Sequence, residues 1–202
     1  MIEWSIDAFR ASDSVRSIIV AAPPGHVSEV AGSDLEVVAG GATRAQSVAN
    51  ALEVVETDYV AIHDAARPLL TPELVEALIA DLEGNPDAAG VIAAAPVTDT
   101  IKRASESNRR FSPSEGENRH LAIERTENRS ELWLAQTPQV FRTEALRQAL
   151  AAAERPEEAT DEAMLVEEAG GTVLIHPVEG QNLKVTTPLD LRVAELLLQS
   201  RR

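Results

Sequence analysis

An acidic and a basic side chain that could contribute to a ligand site follow a short apolar stretch of the sequence. Residues 59–62 are apolar, and Asp64, two alanines, Arg67 and a proline follow at positions 64–68. Such apolar runs are typical of buried strands in parallel sheets, where ligands collect beyond the carboxyl ends of the strands. Because the planar arginine fork suits phosphate or carboxylate, the pattern indicates an anion site at a strand end. A structural Asp–Arg pair that closes a loop explains the same residues equally well.

Two further groups of residues could contribute to such a site. Gly41 belongs to a Gly-Gly turn from a strand into a helix, with Arg44 and Ser47 on one face of that helix, and free N–H groups there could hold a nucleotide base or ribose. A plain strand-to-helix connection is the more common meaning of an isolated turn of this kind. Lys184 lies among apolar residues before the last predicted helix, where a surface lysine is more common than a catalytic one.

The composition restricts the class of protein. A chain of 202 residues suits one domain, which buries roughly 70% of its unfolded surface. The chain contains no cysteine, which excludes disulfides and cysteine-bound zinc. The formal charge of −15, from 33 acids and 18 bases, argues against sequence-independent binding of nucleic acid, which depends on neutralising phosphates. A small anionic ligand still fits if the few bases converge.

The sequence also bears on location. No apolar run is long enough to span a bilayer, and the first residues lack the basic segment and apolar core of a signal peptide. The lack of cysteine agrees with a reducing compartment. We therefore expect a soluble, cytoplasmic protein with neither nucleic acid nor membrane as a partner.

Strand and helix patterns alternate along the chain. Apolar residues at helical spacing over residues 2–11 predict an opening helix, and short apolar runs at 17–22, 35–38, 89–96 and 172–176 predict strands. Because strand, helix and strand repeat in order, the sequence predicts an α/β fold with a doubly wound, mostly parallel sheet. An opening helix is unusual in such a fold, whose first strand usually begins the alternation.

The pattern changes between residues 97 and 137. Residues 98–104 and 121–129 alternate between apolar and polar, and a polar stretch separates them, which predicts a β-hairpin extension. A two-stranded hairpin alone in water is marginally stable, so we expect it to lie on a second copy of the protein. A disordered insertion is the alternative for the polar stretch.

Several motifs, taken in order, resemble the 2-C-methyl-D-erythritol 4-phosphate cytidylyltransferase family, whose members join a sugar-alcohol phosphate to CTP. Each motif is weak alone, but the ordered set spans the whole chain. The motifs are Gly40-Gly41 with Arg44 and Ser47, HDAARP at 63–68, PVTDTIK at 96–102, Arg129 before Leu132-Trp133, QTPQ at 136–139, TDEA at 160–163 and NLKVT at 182–186. The resemblance implies one domain over residues 1–202, with a Rossmann-like, doubly wound, mostly parallel sheet of the nucleotide-diphospho-sugar transferase type and a β-arm over 97–137 that joins a homodimer.

The resemblance also implies an activity and roles for the site residues. The reaction would be cytidylyl transfer from CTP to 2-C-methyl-D-erythritol 4-phosphate in non-mevalonate isoprenoid biosynthesis, with Mg²⁺ as cofactor and Asp64 able to reach the metal. Lys184 would meet the α-phosphate of CTP, and Thr100 and Arg129 would reach the acceptor from the partner subunit. The implied residues are Lys184, Asp64 and Arg67 for catalysis, Gly41, Arg44 and Ser47 for CTP, and Thr100, Arg129, Thr137 and Thr160 for the polyol phosphate.

One part of the family pattern has no counterpart in this sequence. The family begins with a strand and a glycine-rich basic loop that cradle the triphosphate, whereas residues 1–4 correspond to the helix after that loop. We therefore expect a start assigned too late in the gene, a truncated form, or a form that holds triphosphate poorly. The rival functions are a ribitol 5-phosphate cytidylyltransferase and a catalytically impaired dimeric binding protein.

Overall fold

The chain folds into two compact units. The first contains Met1–Ala94 and Ala135–Arg202, and the second contains Ala95–Leu134. The computed structural model describes residues 1–27, 35–105, 121–179 and 182–201. Most of the polar stretch between the two alternating segments lies outside the described residues, so its predicted disorder or turn structure stays a prediction.

Four of the described α-helices begin at a residue whose side chain accepts a hydrogen bond from a free N–H group of the first turn. Thr71 accepts a hydrogen bond from the Leu74 N–H at 3.3 Å at the start of one helix, and Thr187 forms a capping box with Asp190 at another. In the described ranges no helix is long and apolar enough to cross a membrane. The α-helices there are α1 (Ile2–Arg10), α2 (Arg44–Leu52), α3 (Pro72–Gly84), α4 (Thr143–Ala152), α5 (Glu162–Glu168) and α6 (Pro188–Gln199), with short 3₁₀ turns at Arg129–Glu131 and Pro156–Glu158.

The strands in the described part of the chain form three sheets. They are β1 (Ile18–Ala22), β2 (Leu35–Ala39), β3 (Tyr59–Ile62), β4 (Gly90–Pro96), β5 (Lys102–Ser105), β6 (Ala122–Thr126), β7 (Trp133–Arg142) and β8 (Val173–Pro177). β1 pairs with β2 in parallel, and a second sheet has the order β3-β7-β4-β8. In that sheet β4 and β8 are parallel, whereas β3 and β7 are antiparallel. The predicted alternation of strands and helices is therefore present in the first unit.

Two strands are less buried than their apolar sequences predict. Both β3 and β8 lie at ends of the four-stranded sheet. All four residues of β3 are partly exposed, and β8 exposes alternate residues. An apolar run alone does not show whether a strand has neighbours on both sides, because burial depends on the tertiary arrangement. The burial indicated by the apolar run at 59–62 is therefore only partial in the structure.

Strand β7 contains a proline, Pro138, and continues through it from Trp133 to Arg142. Proline removes one N–H donor from a strand and is tolerated where that donor has no partner to meet. The pairing of β7 with β3 begins only at Gln139, which lies opposite Ile62. The missing N–H of Pro138 therefore costs no hydrogen bond on that side.

The core of the first unit lies against both faces of β4 and β7. Phe141 and Leu146 are fully buried in one cluster, and Leu78 and Leu82 are fully buried in a second cluster under α3. A Cβ atom added at Gly90 would lie 2.3 Å from the Phe141 ring. Close approach of the two strands at this point therefore requires glycine.

The second unit contains an antiparallel pair of strands with few buried residues. β5 and β6 pair from Lys102 opposite Thr126 to Ser105 opposite Ala122, with a register shift after Arg103. The antiparallel pairing that the alternating pattern predicts is confirmed. Large apolar side chains are exposed in this unit, among them Leu121, Ile123 and Leu134 at 63%, 65% and 55%.

Candidate active site

The turn after β3 fixes the backbone of the two residues with which the sequence pattern begins. The Arg67 N–H donates to the Asp64 carbonyl at 2.9 Å, which closes the turn. The Asp64 N–H donates to Thr137 Oγ1 on β7 at 3.0 Å. Both side chains therefore start from held positions at the end of a strand.

Three cationic side chains surround the Asp64 carboxylate. Lys184 Nζ donates to Oδ2 at 2.8 Å, Arg44 Nε lies 3.5 Å from Oδ1, and Arg67 Nε lies 3.9 Å from Oδ2. The Asp64 side chain is 18% exposed. Residues separated by up to 140 positions in the sequence are thus brought to one point, which confirms that the few bases of an acidic chain converge.

The cations outweigh the effect of burial on Asp64. Burial alone disfavours the charged carboxylate, but the hydrogen bond and charge of Lys184, together with Arg44 and Arg67, hold the pKa of Asp64 below its ordinary value. Asp64 is therefore ionised at neutral pH. An ionised, multiply paired carboxylate of this kind is a weak proton acceptor.

The segment that carries Lys184 is attached to the turn by its backbone. The Val185 N–H donates to the Ala66 carbonyl at 2.8 Å. Lys184 itself is 47% exposed, so its ammonium group is bonded to Asp64 and still open to solvent. Neither a purely solvated lysine nor a buried one describes this geometry.

Arg67 bonds to the same segment through its side chain. Its Nη1 donates to the Asn182 carbonyl at 2.7 Å, and its side chain is only 11% exposed. Burial lowers the pKa of Arg67, although the Asp64 charge opposes this effect. Among the described residues, Arg67 Nε has no hydrogen-bonding partner. This nitrogen is buried and lies 3.9 Å from Asp64 Oδ2, so its interaction with Asp64 is one of charge alone.

Arg44 links Asp64 to a second, deeply buried carboxylate. Arg44 Nη1 donates to Glu162 Oε1 at 2.6 Å, and the Glu162 side chain is 1% exposed. Burial raises the pKa of Glu162, and the charge of Arg44 opposes this rise. Burial would lower the pKa of Arg44, but Glu162 and Asp64 together raise it. We assign an ionised pair on the short distance, with Arg44 held between two acids.

The glycine turn before α2 is organised by hydrogen bonds within the turn. The Gly41 N–H donates to Ser47 Oγ at 3.0 Å, and Ser47 Oγ donates to the Thr43 carbonyl at 2.9 Å. Thr43 caps the helix by accepting from the Gln46 N–H at 3.1 Å. The turn therefore has the local contacts of a strand-to-helix connection and places Arg44 at the helix start.

The other predicted residues lie in different surroundings. Thr137 is 4% exposed, and its hydroxyl bonds to the Asp64 N–H and to the ring of His63. Thr160 is exposed and precedes the N-cap residue of α5. Thr100 and Arg129 belong to the second unit, where Arg129 Nη1 donates to the Thr98 carbonyl at 2.6 Å.

The described residues do not form a ready-made metal site. No group of three or more histidine, aspartate or glutamate side chains lies close enough to hold a metal in the described part of the chain. Both oxygens of Asp64 already face cations. The role of Asp64 as a magnesium ligand thus stays a prediction.

Three residues of this region were not among the predicted site residues. They are His63, Glu162 and Asn182, and all three bond to a predicted residue through a side-chain atom. Each stands inside a motif that the sequence singled out, at 63–68, 160–163 and 182–186. Their position within these motifs was the only indication in the sequence that they belong to the site. The residues to which they bond depend on the fold and could not be predicted from the motifs.

An α/β unit that gathers cationic side chains beyond the end of a strand can bind a phosphorylated ligand there. The sequence profile of the 2-C-methyl-D-erythritol 4-phosphate cytidylyltransferase (IspD) family matches residues 1–200, and the chain belongs to this family. A nucleotidyltransferase class follows from that membership.

Individual relatives agree over nearly the whole chain. The 2-C-methyl-D-erythritol 4-phosphate cytidylyltransferase of Dechloromonas aromatica (strain RCB) is 38% identical over 214 residues, covering 100% of this chain and 86% of the relative. That of Frankia casuarinae is 41% identical over 204 residues, covering 98% and 70%. The crystal structure of the cytidylyltransferase from Thermus thermophilus has a TM-score of 0.76 and 34% identity, covering 98% of this chain and 88% of that one. The predicted nucleotidyltransferase fold is confirmed.

Proposed function

We propose that this protein transfers a cytidylyl group from CTP to 2-C-methyl-D-erythritol 4-phosphate and releases pyrophosphate. The observation that carries the proposal is the family match over residues 1–200. The cations at Asp64 support it, because a triphosphate must have its charge neutralised before a second phosphate can approach.

The proposed reaction needs no base for its nucleophile. A phosphate oxygen of the acceptor forms a bond to the α-phosphorus of CTP, and the bond from that phosphorus to pyrophosphate breaks. A phosphate monoester is already largely ionised at neutral pH. This agrees with Asp64, whose lowered pKa makes it a poor base and whose contacts make it an anchor for cations.

We assign to Lys184 the stabilisation of charge on the α-phosphate oxygens. Its ammonium group has three donors, and the bond to Asp64 uses one of them. The exposed remainder can donate to a phosphate without breaking that bond. Asp64 would then orient the lysine while the polyol binds nearby.

Gly41, Arg44 and Ser47 remain our candidates for the cytidine end of CTP. Arg44 is partly exposed, so a guanidinium edge can meet a ligand while Nη1 stays on Glu162. Ser47 Oγ would have to accept or share a further bond, because it already bonds to two backbone groups. We assign Thr160 and Arg67 to the acceptor.

We also propose a homodimer through the arm of the second unit, with Thr100 and Arg129 reaching the acceptor phosphate of the partner's site. Support comes from Ile123, which exposes 65% of an isoleucine on a strand with little core of its own. Burying such a side chain contributes about 1.5–3 kcal/mol. Ile123→Asp should therefore raise the dimer dissociation constant at least about tenfold, measured by sedimentation, while Glu124→Gln on the same exposed strand should not. Equal dissociation constants would place the interface elsewhere.

Magnesium is part of the proposal only in a limited form. Mg²⁺ keeps several waters and commonly binds one or two carboxylates together with substrate phosphates. Since both Asp64 oxygens face cations, the metal would take its ligands mainly from CTP and water. The predicted cytoplasmic location likewise stays a prediction.

The test is an assay of pyrophosphate release from CTP with two acceptors, 2-C-methyl-D-erythritol 4-phosphate and ribitol 5-phosphate. We expect turnover with the first and at most weak turnover with the second. Calorimetric titration with CTP should accompany it. Binding of CTP without turnover on either acceptor would favour the impaired binding protein, and preference for ribitol 5-phosphate would favour the sister activity.

A further inference from the structure

His63 stands between the two ends of the turn that carries Asp64 and Arg67. Its Nε2 lies 3.1 Å from the Arg67 carbonyl oxygen, and its Nδ1 lies 3.1 Å from Thr137 Oγ1. The edge of the ring packs against Phe9 with the centroids 5.8 Å apart. The imidazole therefore has a partner at each nitrogen and does not itself face the carboxylate cluster through a ring nitrogen.

The chemistry of the partners fixes the hydrogen atoms of this network. A carbonyl oxygen can only accept, so the His63 hydrogen lies on Nε2 and Nδ1 carries a lone pair. Thr137 must then donate its hydroxyl hydrogen to Nδ1. Its oxygen remains free to accept the Asp64 N–H at 3.0 Å, which is the bond observed. Each of these three donors, the His63 Nε2–H, the Thr137 hydroxyl and the Asp64 N–H, therefore meets one acceptor.

The network continues into the segment that carries Lys184. Asn182 Nδ2 donates to the Thr137 carbonyl at 2.6 Å, and Asn182 is 6% exposed. Arg67 Nη1 donates to the Asn182 carbonyl at 2.7 Å, which returns the network to the turn. A closed ring of bonds thus joins His63, Thr137, Asn182 and Arg67. The backbones on either side of the Asp64–Lys184 contact are held by this ring.

We propose that His63 and Thr137 are positioning residues, which set the separation of Asp64 and Lys184 through hydrogen bonds and touch neither substrate. The inference rests on the proposed function. It replaces the substrate contact that the family resemblance implies for Thr137, because that hydroxyl is buried, its hydrogen is donated to His63 and its oxygen accepts the Asp64 N–H.

Two substitutions at Thr137 separate positioning from packing. Thr137→Val keeps the shape and removes the hydroxyl, which leaves the Asp64 N–H and His63 Nδ1 unpaired. Thr137→Ser keeps the hydroxyl and loses a methyl group. Displacing a catalytic group by about 1 Å can cost roughly 100-fold in rate. We expect turnover to fall roughly 10- to 100-fold in Thr137→Val, with the KM values for both substrates changed less than about threefold, and to be restored in Thr137→Ser.

The assay is run well below the melting temperature of each variant, so that unfolding does not enter the rate. Normal turnover in Thr137→Val would overturn the proposal. A rise in the KM for the polyol phosphate at normal turnover would also overturn it, because that result shows direct contact with the substrate. If the unsubstituted protein has no transferase activity, the proposed function fails instead.

A measurement that does not depend on turnover tests the hydrogen-bond network whether or not the protein has transferase activity. Long-range ¹⁵N–¹H NMR of the histidine rings identifies which nitrogen of His63 carries the hydrogen, with His63→Asn used to assign the signals. We expect the Nε2–H form in the unsubstituted protein at neutral pH. The Nδ1–H form would overturn the proposal, because Thr137 Oγ1 would then receive two donors and its own hydrogen would have no part in the network.

Discussion

The replacement of His63 by asparagine should make the free energy of unfolding fall less steeply as the pH is lowered. Burial lowers the pKa of His63 from 6.5 to about 4, against the opposing hydrogen bond to the Arg67 carbonyl. Of the charged groups beside the ring, Asp64 favours the protonated form and Arg67 disfavours it. Burial exceeds both effects, so the folded protein keeps the ring neutral where the unfolded chain protonates it.

The sign follows from the count of bound protons. Above pH 6.5 neither state protonates His63, and between pH 6.5 and about 4 only the unfolded state does, so stability falls as the pH falls through this window. Each pH unit in the window costs up to 1.36 kcal/mol. The loss assigned to His63 is about 2 kcal/mol between pH 7 and pH 5, and about 3 kcal/mol once the pH has passed below about 4.

Urea unfolding at pH 7 and pH 5 measures this contribution. For a chain of this size a loss of about 2 kcal/mol corresponds to a shift of the unfolding midpoint of roughly 1 M urea. Other groups titrate in the same range, so the quantity of interest is the difference between the unsubstituted protein and His63→Asn. The variant starts less stable at pH 7 but loses less on acidification. Equal shifts of the two midpoints would refute the claim that the partly buried His63 stays neutral in the folded protein.

The remaining predictions concern the charged site and the core. Lys184→Ala should lower turnover by roughly 10²- to 10³-fold, and Lys184→Arg should not restore it; an unchanged turnover with a raised KM for CTP would contradict the assigned role. Glu162→Ala should lower the free energy of unfolding, measured in urea, by about 3 kcal/mol. This value is near the lower end for breaking a buried ion pair, because the arginine partner of Glu162 is partly exposed. A loss below about 1 kcal/mol would show that the pair contributes little. Gly90→Ala should cost about 1–3 kcal/mol through overpacking, whereas Gly84→Ala, with open space around its Cβ position, should be neutral; equal thermal melting of the two variants would contradict the close contact.

The sequence allowed the turn at Asp64 to be placed because strand ends follow from local apolar patterns. Ligands at the carboxyl ends of strands are a general property of α/β folds, and Arg67 carries a suitable donor group. The convergence of Arg44 and Lys184 on Asp64 was different, since no local pattern relates residues that far apart. The family resemblance implied that all three serve one reaction, but it did not predict that the two cations contact Asp64.

Glu162 shows what local reasoning could not reach. An acid in the first turn of a helix is usually explained by the helix dipole, and no pattern in the sequence indicates another partner for it. Its burial and its bond to Arg44 depend on how the fold brings the start of α5 next to the start of α2, which periodicity does not reveal. The same limit explains β3 and β8, whose apolar sequences did not show that they lie at sheet ends.

The pairing of these carboxylates with cations also determines the electrostatic potential that an approaching ion meets at the site. Arg44, Arg67 and Lys184 carry three positive charges against two negative charges on Asp64 and Glu162, so the cluster has a net charge of +1 inside a chain of −15. In 0.01 M salt, where the screening length is about 30 Å, a CTP molecule still distant from the site meets mainly the negative charge of the whole protein. Encounter is then opposed at long range and favoured only near the site. Moderate salt should therefore speed the capture of CTP, the reverse of the usual behaviour of an anion-binding enzyme with a basic surface.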